Sequence, residues 1–196
     1  GPAAVQQARL QVVLIILPAG LPAHRRSRVT SNVRPHHSHI AAMPAPVEVR
    51  PVLRTDYDQW RPLWDGYNAF YGRLGETALP ESITASTWER LFNPVEPVFA
   101  LVASSQGKVV GLTHYLFHRS TTKIEPVCYL QDLFTSPEHR GSGVGRALIQ
   151  GVYAQARKAG TKRVYWQTHT SNSAGRALYD KVAKHLGFIV YSCDPV

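Results

Sequence analysis

Two cysteines, Cys128 and Cys193, are all that the 196 residues contain. That is too few for a disulfide framework and suits a reducing compartment. Neither has a cationic neighbour in sequence, so neither reads as a covalent nucleophile. Long apolar runs are also missing: the stretch 10–17 (LQVVLIIL) is far shorter than a membrane span and is ended by Pro18, Gly20 and Pro22. No membrane partner is expected. Charged residues make up only 18% of the chain against 44% hydrophobic, the balance of a folded globular protein rather than a disordered one. Acids are wholly lacking from residues 1–42, which carry Arg9, Arg25, Arg26, Arg28 and Arg34; the first carboxylate is Glu48. The net charge of +9 is therefore concentrated at the N-terminus, and the rest of the chain has a modest basic excess. Such an excess favours an anionic ligand without implying nucleic acid. The histidines 24, 36, 37 and 39 cluster without fixed spacing on an element, so they read as a polar tail and no metal is expected.

Residues 1–42 read as an extension outside the domain, with three origins open. They resemble a transit peptide in being arginine-rich and acid-free, which would place the protein in mitochondria rather than the cytoplasm. They also suit a tag remnant, since Gly1-Pro2 is a common protease scar, or unrelated upstream sequence. Met43, the single methionine, stands just before the first ordinary globular sequence, and the domain is expected to span 43–196.

From residue 47 the hydrophobic pattern becomes regular. Residues 47–53 alternate as a strand, and 56–71 carry a helical stripe of Tyr57, Trp60, Leu63, Trp64, Tyr67, Phe70 and Tyr71. A shorter helix is expected over 80–92, then two strands, 98–103 and 109–118, joined by the hairpin loop 104–108, then a strand over 128–135. Val144, Leu148, Val152 and Ala156 form the buried face of a helix stopped at Gly160. A strand over 163–169 follows. Ser171-Asn172 cap a last helix with face Ala174, Leu178, Val182 and Leu186, and a final strand covers 188–191. Hairpin-joined strands followed by a βαβ crossover imply a single α/β domain, with a mixed central sheet of about six strands and helices on both faces.

The stretch 137–150 (PEHRGSGVGRALIQ) puts three glycines on alternate positions at a helix start. So much costly flexible backbone suggests that something approaches it closely: a phosphate, a dinucleotide, an acyl-carrying thiol cofactor, or only a tight turn. A dinucleotide fingerprint needs glycine at 146 and an acid about 20 residues later; the chain has Arg146 and a Lys162-Arg163-Val164 run. A Walker loop needs Gly-Lys-Ser/Thr, which does not occur. What remains is a set of amides at the positive end of a helix dipole, flanked by Arg140 and Arg146, suited to a pyrophosphate.

Three motifs in register sharpen this. Arg140-x-x-Gly143-x-Gly145 between strand and helix resembles the acetyl-CoA loop of the GNAT superfamily of N-acetyltransferases. Asn172-x-x-x-x-x-Leu178-Tyr179-x-Lys181, with Gly187-Phe188 further on, resembles the same family's downstream signature, and 129–134 (YLQDLF) its fourth strand. The flavour is closest to the yeast histone/polyamine and D-amino-acid acetyltransferase group. Two departures stand out: residues 183–186 add about a turn before Gly187, and the chain leaves little room for a seventh strand. A partner subunit could supply that edge, so a homodimer is an expectation.

The resemblance implies transfer of an acetyl group from acetyl-CoA directly to a primary amine. The leading acceptor is a small molecule, either an amino acid or a polyamine. The alternatives are a histone-like protein lysine and a non-catalytic acyl-CoA sensor. It further implies that Leu133, Phe134 and Thr135 present backbone groups to the pantetheine. The cofactor loop would be Arg140, Gly141, Ser142, Gly143, Val144, Gly145 and Arg146, with Asn172 and Tyr179 also at the cofactor. Tyr179 is the expected acid for the leaving thiolate, two helical turns after Asn172. The base is open between Asp132 and His169; related diamine enzymes carry Glu-Asp where this chain has Gln131-Asp132. Trp64, Tyr67, Tyr71 and Tyr115 are the expected aromatic lining of the acceptor pocket, with Gln131 and His169 near it.

Overall fold

The computed structural model describes residues 46–194, so the extension 1–42 lies outside the described residues. Five strands form one sheet in the order β1-β2-β3-β4-β5. They are β1 (Glu48–Pro51), β2 (Val98–Ser105), β3 (Lys108–His118), β4 (Val127–Thr135) and β5 (Val164–Tyr165). The first four pair antiparallel, and β5 adds to β4 in parallel after the crossover helix. The helices are α1 (Tyr57–Phe70), α2 (Glu81–Arg90), α3 (Val144–Lys158) and α4 (Ser173–Tyr179).

Both faces of the sheet are covered, which explains why β2 and β3 read as near-continuous apolar runs. On one face α1 and α2 bring Trp60, Leu63, Trp64 and Trp88 against Ala100, Val102 and Leu112. On the other, α3 lays Val144, Leu148, Ile149, Val152 and Ala156 on Leu101, Ala103, Cys128 and Leu130. Gly111 sits where α3 crosses closest: an added Cβ would lie 2.8 Å from a Val144 methyl and 2.9 Å from the Phe134 carbonyl oxygen. Gly111→Ala should therefore lower stability by about 1–3 kcal/mol through overpacking, read as a lower denaturant midpoint with unchanged slope.

The expected architecture is corrected at its C-terminal end. The sheet has five strands among the described residues, not about six, and β5 is two residues long rather than 163–169. The last helix stops at Tyr179, short of Leu186. Residues 188–191 form no strand, and Phe188, Ile189, Val190 and Tyr191 are exposed. The reason is the lack of a template: an added strand needs a ladder of neighbouring N–H and C=O groups, and β5 offers only two residues.

Candidate active site

Two irregularities in β4 create the site. Its ladder to β5 ends after Cys128↔Val164 and Tyr129↔Tyr165, so from Leu130 to Thr135 that edge is uncovered among the described residues. Its pairing with β3 skips a residue: His114 faces Asp132 while Tyr115 faces Leu130, leaving Gln131 as a bulge. A bulge shifts the alternation by one. Cys128 and Leu130 pack toward α3, whereas Asp132 and Phe134 turn toward α1. Without the bulge Asp132 would sit on the face of Leu130.

Beside Asp132 opens a cleft of about 480 Å³ lined by Trp64, Tyr67, Arg73, His114, Gln131 and others from α1, α2, β3 and β4. Asp132 is 7% exposed, and a buried carboxylate needs partners. The His114 ring supplies one, with Nδ1 2.9 Å from Asp132 Oδ2, and Trp60 Nε1 lies 3.0 Å from His114 Nε2. An indole N–H only donates, so His114 Nε2 accepts and the ring's proton sits on Nδ1, directed at Asp132. Thr113 Oγ1 ties the Asp132 carbonyl at 2.8 Å. From the open side the Tyr67 hydroxyl faces the carboxylate; burial first, and then the Asp132 charge, push that phenol well above its usual value. Tyr71 is raised as well, by burial foremost and with Asp132 contributing.

On the other side of the open edge, the chain turns through Gly141 (φ 76°) and Gly143 (φ 91°) into α3. This left-handed backbone leaves the amides of residues 141–146 without an acceptor among the described residues. Nothing lies within 4 Å of where a Cβ would stand at Gly141 or Gly143, so the cradle faces open space. Arg140 rests its guanidinium 5.8 Å from the Phe134 ring centroid. Consecutive free amides at a helix N-terminus, with Arg140 and Arg146 alongside, fit a diphosphate group.

α4 closes the slot. Asn172 Oδ1 accepts from the Gly175 amide at 3.0 Å and Nδ2 donates to Thr168 Oγ1 at 2.9 Å. An added Cβ at Gly175 would overlap the Asn172 side chain, so any larger residue at 175 would have to displace the capping asparagine. Seven residues on, Tyr179 packs edge-on to Trp166, ring centroids 5.4 Å apart, and burial pushes its phenol up to about 12. Tyr71 packs against Tyr67, ring centroids 5.1 Å apart, and lies near enough to Asp132 and to Tyr179 to add to the shifts that burial mainly causes.

One family model, described as the acetyltransferase (GNAT) family, matches the chain over residues 60–188, the stretch that holds the uncovered β4 edge, the amide cradle and the capped helix bearing Tyr179. The chain belongs to the GNAT acetyltransferase family. This GNAT is 32% identical to the D-amino-acid N-acetyltransferase HPA3 of Saccharomyces cerevisiae over 147 residues, 74% of the chain and 89% of that protein. It is 26% identical over 147 residues to the uncharacterized N-acetyltransferase YhfO of Bacillus subtilis, covering 74% and 95% respectively. The fold superposes on an aminoglycoside N-acetyltransferase solved in complex with CoA at a TM-score of 0.66, with 15% identity, covering 80% of this chain and 100% of that one. The protein is an N-acetyltransferase, and its family uses acetyl-CoA, which supplies the acetyl group as a thioester.

The GNAT fold brings Trp64, Tyr67, Gln131, Asp132 and Tyr115 to the cleft. Trp64 and Tyr115 are also core residues, and Trp64 Nε1 donates to Thr84 Oγ1 at 3.2 Å. His169 is placed elsewhere: it is exposed, it does not line the cleft, and its Nδ1 bonds Ser171 Oγ at 2.6 Å just ahead of α4. The buried Cys128 thiol is pushed up to about 12 by desolvation, which suits a core residue rather than a nucleophile. Sequence reasoning missed His114, Trp60 and Arg73. The one visible signal was a lone histidine inside the apolar run of β3.

Proposed function

We propose that the chain transfers the acetyl group of acetyl-CoA directly to the primary amine of a small molecule, an amino acid or a polyamine. The observation that carries this is the placement of Asp132. It is a buried carboxylate with its hydrogen-bond donor already in place, and it stands within the uncovered stretch of β4. Amines are mostly protonated at neutral pH, so the site must both attract an ammonium and remove a proton from it. Asp132 does the first by charge and passes or accepts the proton in the second. The backbone of Leu133, Phe134 and Thr135 lies alongside the acyl-bearing arm, where fixed amides stabilise developing negative charge. Residues 140–146 hold the diphosphate, and Tyr179 donates to the departing sulfur. The named substrate of the yeast relative, a D-amino acid, agrees with a small acceptor.

Release of free thiol from acetyl-CoA, measured across amino acids of both hands, diamines, polyamines and a lysine-bearing peptide, tests the reading. Turnover with small amines is the expected result. Tight coenzyme A binding with no turnover on any acceptor would make the domain a sensor instead. Gly143→Glu tests the cradle separately. Position 143 has room for a side chain, so the variant pays only backbone strain of about 1–2 kcal/mol and should stay folded. Its carboxylate would face the diphosphate, and coenzyme A affinity should fall by about tenfold or more. Unchanged affinity in calorimetry would remove the loop from the cofactor site.

A further inference from the structure

The cleft that holds Asp132 also holds a cation that the transfer chemistry does not require. Arg73 follows α1 by a left-handed turn at Gly72 (φ 77°) and lines the same cleft. Asn68 aims it. Asn68 is 4% exposed; its Nδ2 donates to the Trp64 carbonyl at 2.8 Å and its Oδ1 accepts from Arg73 Nε at 2.7 Å. The Asn68 carbonyl also accepts from the Arg73 amide at 2.9 Å. A buried side-chain amide is thus committed to orienting one guanidinium. The guanidinium carbon lies 5.6 Å from the Tyr67 ring centroid and 5.4 Å from that of Tyr71. With Nε engaged, Nη1 and Nη2 donate to no group among the described residues, and no carboxylate there pairs with Arg73. A fork fixed at Nε with both terminal nitrogens free is the donor arrangement that takes a carboxylate.

The two opposite charges share one cleft and one neighbour, the arrangement that receives a small zwitterion. Tyr67 spans them: its hydroxyl faces Asp132 and its ring carries Arg73, and its phenol responds to both. Arg90 lines the cleft too, but it lies 3.9 Å from Glu96 at the end of α2. We propose that Arg73 binds the acceptor's carboxylate while Asp132 receives its amine, so that the substrate class is amino acids and not polyamines. A polyamine would bring its second ammonium against Arg73 and lose affinity by like-charge repulsion. The inference rests on the small-amine reading above and narrows it.

The test compares matched acceptors on the full chain: an amino acid, its carboxamide, its decarboxylated amine and a diamine of similar length. Initial rates of thiol release give kcat/KM for each. The wild-type chain should favour the free amino acid over its carboxamide by about tenfold to a hundredfold, the scale of a lost charge-assisted pair, with the difference in KM. In Arg73→Gln the ratio should fall toward one, and in Arg73→Lys, which keeps charge but not the fork, it should be intermediate. A wild-type chain that takes the carboxamide or the diamine as well as the amino acid overturns the inference and leaves the acetyltransferase reading intact. A preference that survives in Arg73→Gln removes Arg73 as its source. No turnover of any of the four, with coenzyme A still bound, defeats the small-amine reading and this inference with it. The wild-type comparison decides even if the glutamine variant does not fold.

Discussion

Replacing Tyr179 with phenylalanine should lower kcat by about a hundredfold or more, the usual contribution of a placed general acid, while coenzyme A affinity changes little. The phenol is a hydrogen-bond donor set among apolar neighbours: Trp166 packs edge-on, and Leu178 beside it joins the cluster under α3. Burial that raises its value to about 12 keeps it protonated across the working range, so it is always ready to donate. A thiolate leaving with a value near 8.5 is a weaker base than this phenol. The phenol therefore stabilises the departing sulfur by a hydrogen bond, and the proton released by the amine completes its neutralisation. An acid required in its protonated form is lost only as pH rises through its own value. In the wild-type enzyme kcat should thus show no alkaline fall from this group at pH 10, where an unperturbed tyrosine would be half ionised. Pre-steady-state and steady-state rates of thiol release on both proteins check this. Full activity in the phenylalanine variant would remove Tyr179 as the acid.

Asp132→Asn should lower kcat/KM by about two to four orders of magnitude at neutral pH, with the fold retained. Retention is expected because an asparagine Oδ1 still accepts from His114 Nδ1, which lies 2.9 Å from the carboxylate in the wild type. The loss should depend on pH in a definite direction. If Asp132 helps remove a proton from the amine, raising the pH does part of that work in solution. The neutral fraction of an amine with a value near 10 grows about tenfold per unit below it, so the deficit of the variant should shrink as pH rises. A deficit constant with pH, located wholly in KM, would make Asp132 an ammonium binder and nothing more. His114→Gln provides the contrast. It removes the ring that bridges Trp60 and Asp132, leaves one of those two hydrogen bonds unmade, and should cost about 1–3 kcal/mol of stability. Its effect on turnover should be smaller than that of Asp132→Asn, since His114 acts only by holding the carboxylate in place.

How much of this was legible beforehand depended on the range over which each feature is decided. Left-handed backbone at 141 and 143, the cap of α4 by Asn172 and the buried stripe of α3 are settled within a few residues. Glycine patterning, an asparagine with glycine three residues on and a repeat of four displayed them directly. The cofactor side of the site is built from such local features, which is why the family could be read from the residues. The acceptor side is not. Which way Asp132 points is decided by a bulge in the β3–β4 ladder, and alternation along β4 alone would assign it to the wrong face. His114 meets it only through cross-strand register, and Trp60 reaches His114 from α1 across 54 residues of sequence. Arg73 sits in a glycine-flanked turn, and only Asn68, buried by helix packing, gives it a direction.

The C-terminal end divides the same way. Residues 188–191 have the composition of a strand, and composition is all a sequence can offer there. Whether they pair depends on a neighbour with a free edge, and β5 ends at Tyr165. The sequence by itself determined the elements, the cap and the amide cradle, because those are set by conformational preferences of single residues and their near neighbours. Only the tertiary structure decided which charges share the acceptor cleft, because a one-residue shift between strands moves every side chain beyond it to the opposite face.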